Sequence, residues 1–174
     1  MLEYIADKEH YTKVLYRCSQ VRHDLWIATA DLKDLYVGFA RGRAMPFLAI
    51  LDGLLKRGVD VRLLHAKEPG DNFRQDFDKH PGLWSRLERR LCPRVHFKLL
   101  IFDCSTAYIG SANLTGAGIG MKGQDARNFE SGILTDNENL VDAAAGHLDG
   151  VWQGIWCKTC RRKEFCGDRI KNNG

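Results

Sequence analysis

The chain has 174 residues and a formal net charge of +4 at pH 7, with 44% hydrophobic and 28% charged residues. This composition is ordinary for a soluble globular protein, and the length suits one domain with a sizeable core of its own. This mild positive charge is compatible with an anionic partner but does not indicate one. A membrane-spanning helix is excluded because the longest apolar run, Phe47–Leu51, is followed by Asp52 and Gly53.

The first part of the chain is predicted to form a helix followed by a β-α-β unit. Apolar residues recur at helical spacing over residues 7–22, and the strand formers of Asp24–Ala30 predict a buried strand. Pro46 can open a helix that stops at Gly58 after two cationic residues. The next predicted strand is Val59–His65, and a helix between two strands implies that they pair in parallel.

Loops and short elements fill the rest of the chain. The arginine- and glycine-containing stretch Ala40–Arg43 indicates a loop, and Gly118–Gly123 matches G-x-G-x-x-G without opening a helix, so it is not a dinucleotide fingerprint. We predict two short helical pieces in residues 66–93, of which the second is Leu83–Leu91. A flexible glycine-rich loop is expected over Leu114–Arg127, followed by a strand over Phe129–Thr135. The last predicted element is a helix from Leu140 to about Trp152, capped by Asp136 or Asn137.

The segment Arg94–Phe102 carries the first group of candidate functional residues. Its apolar alternation predicts a strand in which His96 and Lys98 share a face with Leu100. An unpaired lysine in an apolar core would be costly, so this pair is expected to face a polar site.

A second predicted strand brings Ser111 and Asn113 to its end, and Gly110 just before them lets backbone approach closely. His96 can act as a nucleophile or base, and Lys98 is a cation. Together with the short hydrogen-bonding groups of Ser111 and Asn113, they form a trap for a phosphate group.

The spacing His-x-Lys-x4-Asp followed by Gly-Ser-x-Asn resembles the HKD motif of the phospholipase D superfamily, and the chain contains one such motif. The resemblance extends loosely over residues 7–155. It implies a phospholipase D-like α/β sandwich, with a mixed, mostly parallel sheet flanked by helices, in a catalytic domain over residues 1–155. The cysteine-rich tail, residues 156–174, is expected to pack on the same domain. The six matching positions are His96, Lys98, Asp103, Gly110, Ser111 and Asn113.

Two acidic residues complete the set of candidate catalytic residues. Asp103 belongs to the motif but follows its apolar strand, so we interpret it as mainly structural, satisfying backbone N–H groups at the turn. In nucleases of the resembled superfamily a downstream glutamate hydrogen-bonds the catalytic histidine, and Glu130 is the best candidate by position. Such a carboxylate would fix the tautomer of His96 and raise its basicity. The alternative is that Glu130 is a solvated residue at a strand edge.

The resemblance also implies how the reaction proceeds. The reaction of the superfamily needs one histidine to attack phosphorus and a second to protonate the leaving oxygen. Similar chains with a single motif pair two copies across a two-fold axis. We therefore expect a homodimer in which the two His96 rings meet and form a covalent phosphohistidine. Lys98 and Asn113 would stabilise the charge on the phosphorane oxygens, with Ser111 assisting, so no catalytic metal is expected.

The motif alone does not identify the substrate. The short single-motif chain resembles the small nucleases of the superfamily, which favours a DNA or RNA endonuclease. A phospholipid hydrolase or transferase and a non-catalytic nucleic-acid-binding subunit are the alternatives. Basic residues flank the motif at Arg86, Arg89, Arg90, Arg94, Lys122 and Arg127.

Three of the six cysteines form a C-x2-C-x5-C pattern in the tail. Cys157, Cys160 and Cys166 supply three ligands of a tetrahedral thiolate site, and Cys92 is the leading candidate for the fourth. The spacing resembles the iron–sulfur staple of certain other nucleases, and zinc satisfies the same ligands. We expect either structural Zn²⁺ or a [4Fe-4S] cluster. Residues 1–10 lack the regions of a signal peptide, so we expect a cytoplasmic protein, with no membrane partner, in which disulfides are disfavoured.

Overall fold

The computed structural model describes residues 1–33, 35–38 and 43–168, which are built around a sheet of seven strands. A second, two-stranded sheet lies apart from it. The strands are β1 (Leu2–Ala6), β2 (Asp24–Thr29), β3 (Tyr36–Gly38), β4 (Ala44–Pro46), β5 (Asp60–His65), β6 (Glu88–Leu91), β7 (Lys98–Phe102), β8 (Thr106–Gly110) and β9 (Ser131–Thr135). The α-helices are α1 (Phe47–Lys56), α2 (Asp71–Asp78), α3 (Pro81–Arg86) and α4 (Glu138–Trp152).

The large sheet has the order β1-β9-β8-β7-β2-β5-β6. β2 pairs in parallel with β5, which confirms the predicted β-α-β unit, and β5 pairs in parallel with β6. The remaining neighbours are antiparallel. The mixed α/β sheet with flanking helices is thus confirmed, but the expectation that it is mostly parallel is wrong. The short turn Asp103–Ser105 between β7 and β8 can only reverse the chain, because a parallel pair needs a long crossover.

Alternate residues of β7 enter two hydrophobic clusters on opposite faces of the sheet. Leu100 and Phe102 pack in the cluster that contains the buried residues of α1, whereas Leu99 and Ile101 pack with those of α4. This is the alternation predicted for the motif strand. Burial of each such side chain contributes about 1.5–3 kcal/mol, so the two faces together fix the register of β7.

Some elements differ from the expectation. The predicted helix over residues 7–22 is a π-helical segment, His10–Leu15, followed by a short 3-10 turn at Cys18–Gln20. The predicted helical piece Leu83–Leu91 is helical only in its first part, because its second part is β6, which pairs with β5. β1 was not predicted. Pairing with distant strands determined both β1 and β6, and local periodicity does not report such pairing.

The glycine-rich segment after β8 is packed into the domain in its first half. Leu114 and Ile119 are fully buried, which contradicts the expectation of a flexible loop over Leu114–Arg127. Gly120 has a φ of +79°, and a Cβ there would lie 2.6 Å from the carbonyl oxygen of Asp7, so the close approach requires glycine. The predicted loop Ala40–Arg43 lies outside the described residues apart from Arg43.

The last helix and the tail follow β9. Asn137 caps α4, with its side chain accepting the N–H of Leu140 at 3.2 Å, so one of the two predicted caps is confirmed. The tail returns to the edge of the sheet, where the Asp168 carboxylate accepts the backbone N–H of Leu91 at 2.6 Å. In the part of the chain that the structure describes, no helix has the length and apolar character that crossing a bilayer requires.

Candidate active site

The candidate residues lie close together at one end of the central strands, where β7 begins and β2 and β8 end. Lys98 pairs with Gly110 in the ladder between β7 and β8, so Ser111 follows immediately beside it. His96 lies two residues before β7, outside the strand, and it is exposed. The strand begins later than predicted because β8 ends at Gly110, the partner of Lys98.

Lys98 is a nearly buried cation, with 7% of its surface exposed. Its Nζ donates a hydrogen bond to the backbone carbonyl of His96 at 2.7 Å. Burial lowers the pKa of Lys98, and the charge of nearby Glu130 opposes that shift. An ammonium group with little solvent around it attracts an incoming anion more strongly than an exposed one.

Ser111 and Glu130 are directly connected. The Ser111 hydroxyl donates to Oε2 of Glu130 and accepts the backbone N–H of Ser131 at 3.0 Å. Oε1 of Glu130 accepts from the side-chain amide of Asn128, also at 3.0 Å. The structure therefore places Ser111, Glu130 and Lys98 in one group, with Glu130 just before β9 and not within it.

Glu130 makes no hydrogen bond to His96 within the described residues, contrary to the expectation drawn from the resemblance. Its two carboxylate oxygens are taken by Ser111 and Asn128, and its backbone N–H donates to Oδ1 of Asp7 at 3.2 Å. The reason is the pairing of β9 with β8, which holds Glu130 beside the end of β8 and not beside the segment that precedes β7.

Asn113 is held by the end of β2. Its Oδ1 accepts from the backbone N–H groups of Ala30 at 3.2 Å and Asp31 at 3.1 Å, and from the Thr29 hydroxyl at 3.3 Å. These donors fix the amide plane, so the Nδ2 group is the part of Asn113 that can donate to a phosphate oxygen. No sequence pattern marked Thr29, although a hydroxyl at the end of a buried strand was a usable signal.

Asp103 lies at the other end of β7 from Lys98. Its carboxylate accepts the backbone N–H groups of Arg22 at 3.0 Å, His23 at 2.6 Å and Asp24 at 3.1 Å. Burial acts against ionisation, but these three donors outweigh it and hold the pKa of Asp103 below its ordinary value. Asp103 therefore joins the turn after β7 to the start of β2. These contacts agree with the mainly structural interpretation of Asp103 that its sequence position suggested.

Tyr108 packs beneath the surface next to Gly110, close to the site, and no sequence pattern identifies it. It is fully buried in β8, and a Cβ at Gly110 would press against its hydroxyl group. A Cβ at Gly132 in β9 would lie 2.6 Å from Cε2 of the same ring. The glycines on either side thus make room for Tyr108, which explains why the chain has no side chain just before Ser111.

A cavity of about 340 Å³ opens beside His96. Phe97, His147 and Trp156 form part of its wall, with ring centroids 4.7 Å apart for Phe97 and His147 and 6.3 Å apart for His147 and Trp156. His147 was given no role from the sequence, because its position on the cavity-facing side of α4 depends on how that helix packs across the sheet.

The four cysteines of the expected metal site lie around the same region. Cys92, Cys157 and Cys160 line the cavity. Burial raises the pKa of the Cys166 thiol, and the neighbouring thiols of Cys92 and Cys157 add to that shift. In their present positions, no three His, Cys, Asp or Glu side chains among the described residues are arranged to hold a metal ion. The metal site therefore stays a prediction.

Half of the flanking basic residues serve the fold itself. Arg89 donates to Nε2 of His65 at 2.8 Å and to Glu68 at 2.6 Å, and Arg90 donates to the backbone carbonyl of Trp152. Arg86 contacts the carbonyl of α1 residue Leu55. Arg94, at the cavity, is hydrogen-bonded to the thiol of Cys160 and helps to lower its pKa, after the larger effect of the Arg162 backbone N–H. The basic residues for which no such internal bond is seen in the described residues are Lys122 and Arg127, in the segment after β8.

The site thus combines an exposed imidazole, a buried ammonium group, a hydroxyl bonded to a carboxylate, and an oriented amide. These groups can attack a phosphorus atom and stabilise the negative charge that develops on its oxygens. The family model described as cardiolipin synthase, PLD-like domain matches residues 19–152 of the chain. No curated protein matches the chain in sequence.

Three solved structures share the fold. NucT from Helicobacter pylori has a TM-score of 0.64 at 13% identity, covering 88% of this chain and 97% of its own. The phospholipase D family member Nuc from Salmonella typhimurium has a TM-score of 0.61 at 16% identity, covering 88% and 94%. Phosphatidylserine synthase from Haemophilus influenzae has a TM-score of 0.60 at 14% identity, covering 85% of this chain but 36% of its own. At these identities the likeness establishes the fold alone.

Proposed function

The chain belongs to the family described as cardiolipin synthase, PLD-like domain, and on that premise we propose that it is a phosphodiesterase that cleaves nucleic-acid phosphodiester bonds. The observation that carries this proposal is that the exposed His96 adjoins the nearly buried Lys98, whose ammonium group donates to the backbone carbonyl of His96. A nucleophile next to a cation suits attack on an anionic phosphodiester.

The reaction we propose has two displacements at phosphorus. One His96 imidazole nitrogen attacks the phosphorus atom, and the bond from phosphorus to the leaving oxygen breaks as that oxygen takes a proton from a second His96. The product of this step is a phosphohistidine. The second His96, now neutral, then removes a proton from water, whose oxygen attacks phosphorus and breaks the phosphorus–nitrogen bond.

Charge on the phosphorane oxygens is stabilised by groups that are already oriented. Lys98 supplies a cation with little surrounding water, and Nδ2 of Asn113 supplies a donor whose plane is fixed by the end of β2. Ser111 is held by Glu130, which also attracts Lys98. We propose that these side chains supply the electrostatic stabilisation for which other phosphodiesterases use a metal ion.

The second His96 comes from a second copy of the chain, because each chain has one motif. Two surface features support this homodimer. His96 is exposed, so it is accessible to a symmetric partner, and Phe129, next to Glu130, is 94% exposed. A large apolar side chain exposed beside a polar site is a common component of a subunit interface.

Nucleic acid is preferred over lipid as the substrate for two reasons. The chain has nearly the full length of Nuc and NucT, covering 94% and 97% of those chains, whereas it spans about a third of the phosphatidylserine synthase, at 36%. Lys122 and Arg127, in the segment that follows Asn113, can contact a phosphate backbone. The family description and the phosphatidylserine synthase favour a phospholipid as the second candidate.

The test is cleavage of a panel of single- and double-stranded DNA and RNA oligonucleotides, with and without EDTA, beside phospholipid vesicles. We expect cleavage of at least one oligonucleotide in EDTA, and a loss of about 10³-fold or more in His96→Asn. His23→Asn is the matched control, since His23 is exposed at the far end of β2.

Three outcomes would oppose this function. Faster turnover of vesicles than of any oligonucleotide would favour the lipid enzyme. Loss of cleavage in EDTA with an intact circular dichroism spectrum would contradict a metal-free mechanism. An unchanged biological activity of His96→Asn would support a binding subunit whose site is silent.

A further inference from the structure

Cys92 and three cysteines of the tail lie near one another, and three of the four line the cavity beside His96. Cys92 follows β6, and Cys157, Cys160 and Cys166 belong to the tail after α4. Cys92, Cys157 and Cys160 contribute to the cavity wall. Cys166 lies close enough to Cys92 and Cys157 to be affected by their charges. The tertiary structure therefore collects the cysteines that the C-x2-C-x5-C spacing and its distant partner singled out.

Two side chains of the tail contact the backbone of Leu91, the residue that precedes Cys92. The N–H of Leu91 donates to the Asp168 carboxylate at 2.6 Å, and the carbonyl of Leu91 lies 3.8 Å from Sγ of Cys166. These contacts place both ends of the arrangement, Cys92 and Cys166, at the same edge of the sheet. A loop of more than seventy residues, from 92 to 166, is closed at this point.

The tail also forms a backbone turn at Cys157–Cys160 with an N–H group directed at a cysteine sulfur. The N–H of Cys160 donates to the carbonyl of Cys157 at 3.3 Å, and Sγ of Cys160 accepts the backbone N–H of Arg162 at 3.4 Å. Backbone donors of this kind stabilise the thiolate sulfurs that bind metal. All six cysteines of the chain are free thiols in the structure, so none of the four is committed to a disulfide.

We propose that Cys92, Cys157, Cys160 and Cys166 bind one thiophilic metal centre, either Zn²⁺ or a [4Fe-4S] cluster. Both take four thiolate ligands, and binding releases the thiol protons to solvent. As the side chains lie, no three of these groups in the described residues are placed to hold an ion, so binding requires the thiols to rotate toward one another. The cavity that three of them line provides the space for that rotation.

The centre has a structural role, because four protein ligands leave no open position for a substrate. Cys92 is four residues before His96. A metal bound there would tie the tail to the segment that carries the nucleophile, and it would set one wall of the cavity. This inference is independent of the reaction proposed for His96, and its tests do not measure cleavage.

The first test is the metal content of the full chain, purified anaerobically from cells supplied with iron and zinc. We expect either about one zinc per chain without visible absorption, or about four iron atoms with equal sulfide and a broad band near 400 nm. Each of Cys92→Ser, Cys157→Ser, Cys160→Ser and Cys166→Ser should lower the content at least about fivefold. Cys104→Ser is the matched control, because Cys104 is exposed and lies outside the group.

A second test counts reactive thiols with a thiol reagent, before and after the metal is removed. With the metal bound, Cys104 should react because it is exposed, and Cys18 should not react because it is buried. The other four should become reactive only on removal. Rapid reaction of those four thiols in freshly purified, folded protein, or fewer than six thiols after denaturation, would overturn the proposal. A metal content that Cys157→Ser and Cys166→Ser leave unchanged would overturn it as well.

Discussion

Two charged residues at the ends of one strand have different roles. Lys98 and Asp103 flank the hydrophobic part of β7, whose five residues span about 17 Å. Lys98 therefore faces the site, while Asp103 binds backbone N–H groups at the start of β2. Both belong to one sequence motif, yet the physical consequences of changing them should differ.

Replacing Lys98 by methionine should reduce cleavage by about 10²-fold or more and leave the melting temperature nearly unchanged. The substitution removes the cation and keeps an unbranched side chain of similar length, so most of the packing around this buried residue is retained. Lys98→Arg is the charge-preserving control and should retain more activity than Lys98→Met. Cleavage rates and thermal unfolding measure the two effects, and equal rates in Lys98→Met and the unaltered chain would contradict the assigned role.

The lowered pKa of Lys98 also predicts a pH dependence. Because burial favours the neutral amine, the pKa of Lys98 lies below the ordinary lysine pKa of 10.5. Cleavage should therefore fall as pH rises through this lowered pKa. A rate profile that extends to alkaline pH checks this. The alkaline decline should be missing from the residual activity of Lys98→Met.

Asp103→Asn should lower stability and spare the chemistry. The carboxylate accepts three backbone N–H groups, so its loss should cost about 1–2 kcal/mol after allowance for its partial exposure. The folded pKa lies below the unfolded value, so this contribution is present above an unfolded pKa of about 3.9 and is lost as pH falls through the folded pKa. Urea unfolding at pH 7 and pH 3 should show a smaller difference between the variant and the unaltered chain at pH 3.

At the scale of elements, the site depends on how β8 packs against β9. Gly110 and Gly132 are partners in that ladder, and both leave room for the ring of Tyr108. The ring is buried, and burial raises the pKa of its hydroxyl group well above the ordinary tyrosine value. The end of β8, just before Ser111, is therefore shaped by the space that two neighbouring strands leave for one large aromatic side chain.

Gly110→Ala should destabilise the protein by about 1–3 kcal/mol, because the new Cβ would press on Tyr108 and lie 2.9 Å from the carbonyl oxygen of Ser131. Gly146→Ala is the matched control, since nothing lies within 4 Å of a Cβ at that position in α4. It should stabilise the helix by about 0.5–1 kcal/mol. Denaturant unfolding of both variants compares them, and equal stabilities would refute the packing argument.

At the scale of the whole molecule, the sheet presents one edge with the reactive groups and apolar surface next to them. His96 and Phe129 are exposed at the ends of strands that lie close in the sheet order. A symmetric partner at this edge would cover Phe129 and bring the second imidazole. The proposed assembly is thus a property of the surface that the fold creates.

Phe129→Glu should therefore weaken the dimer and reduce cleavage together, because the charge would be buried at the interface. Light scattering across a range of protein concentrations measures the first effect, and cleavage at the same concentrations measures the second. Leu140→Glu is the control, since Leu140 is an exposed apolar residue at the start of α4. A dimer that survives Phe129→Glu with full activity would place the interface elsewhere.

Much of the site could be predicted because it is local. The spacing of His96, Lys98, Ser111 and Asn113 reflects the two-residue period of a strand and one short turn, and both are properties of neighbouring residues. The capping of α4 by Asn137 and the β-α-β unit were readable for the same reason.

The chain by itself therefore determined which residues are candidates for the site and that two neighbouring strands bring them together. Only the tertiary structure decided what each group contacts. It gave Glu130 to Ser111 and not to His96, Asn113 to the end of β2, and the tail cysteines to the neighbourhood of Cys92. These contacts join residues far apart in sequence, and they depend on the order and direction of the strands, which local periodicity does not specify.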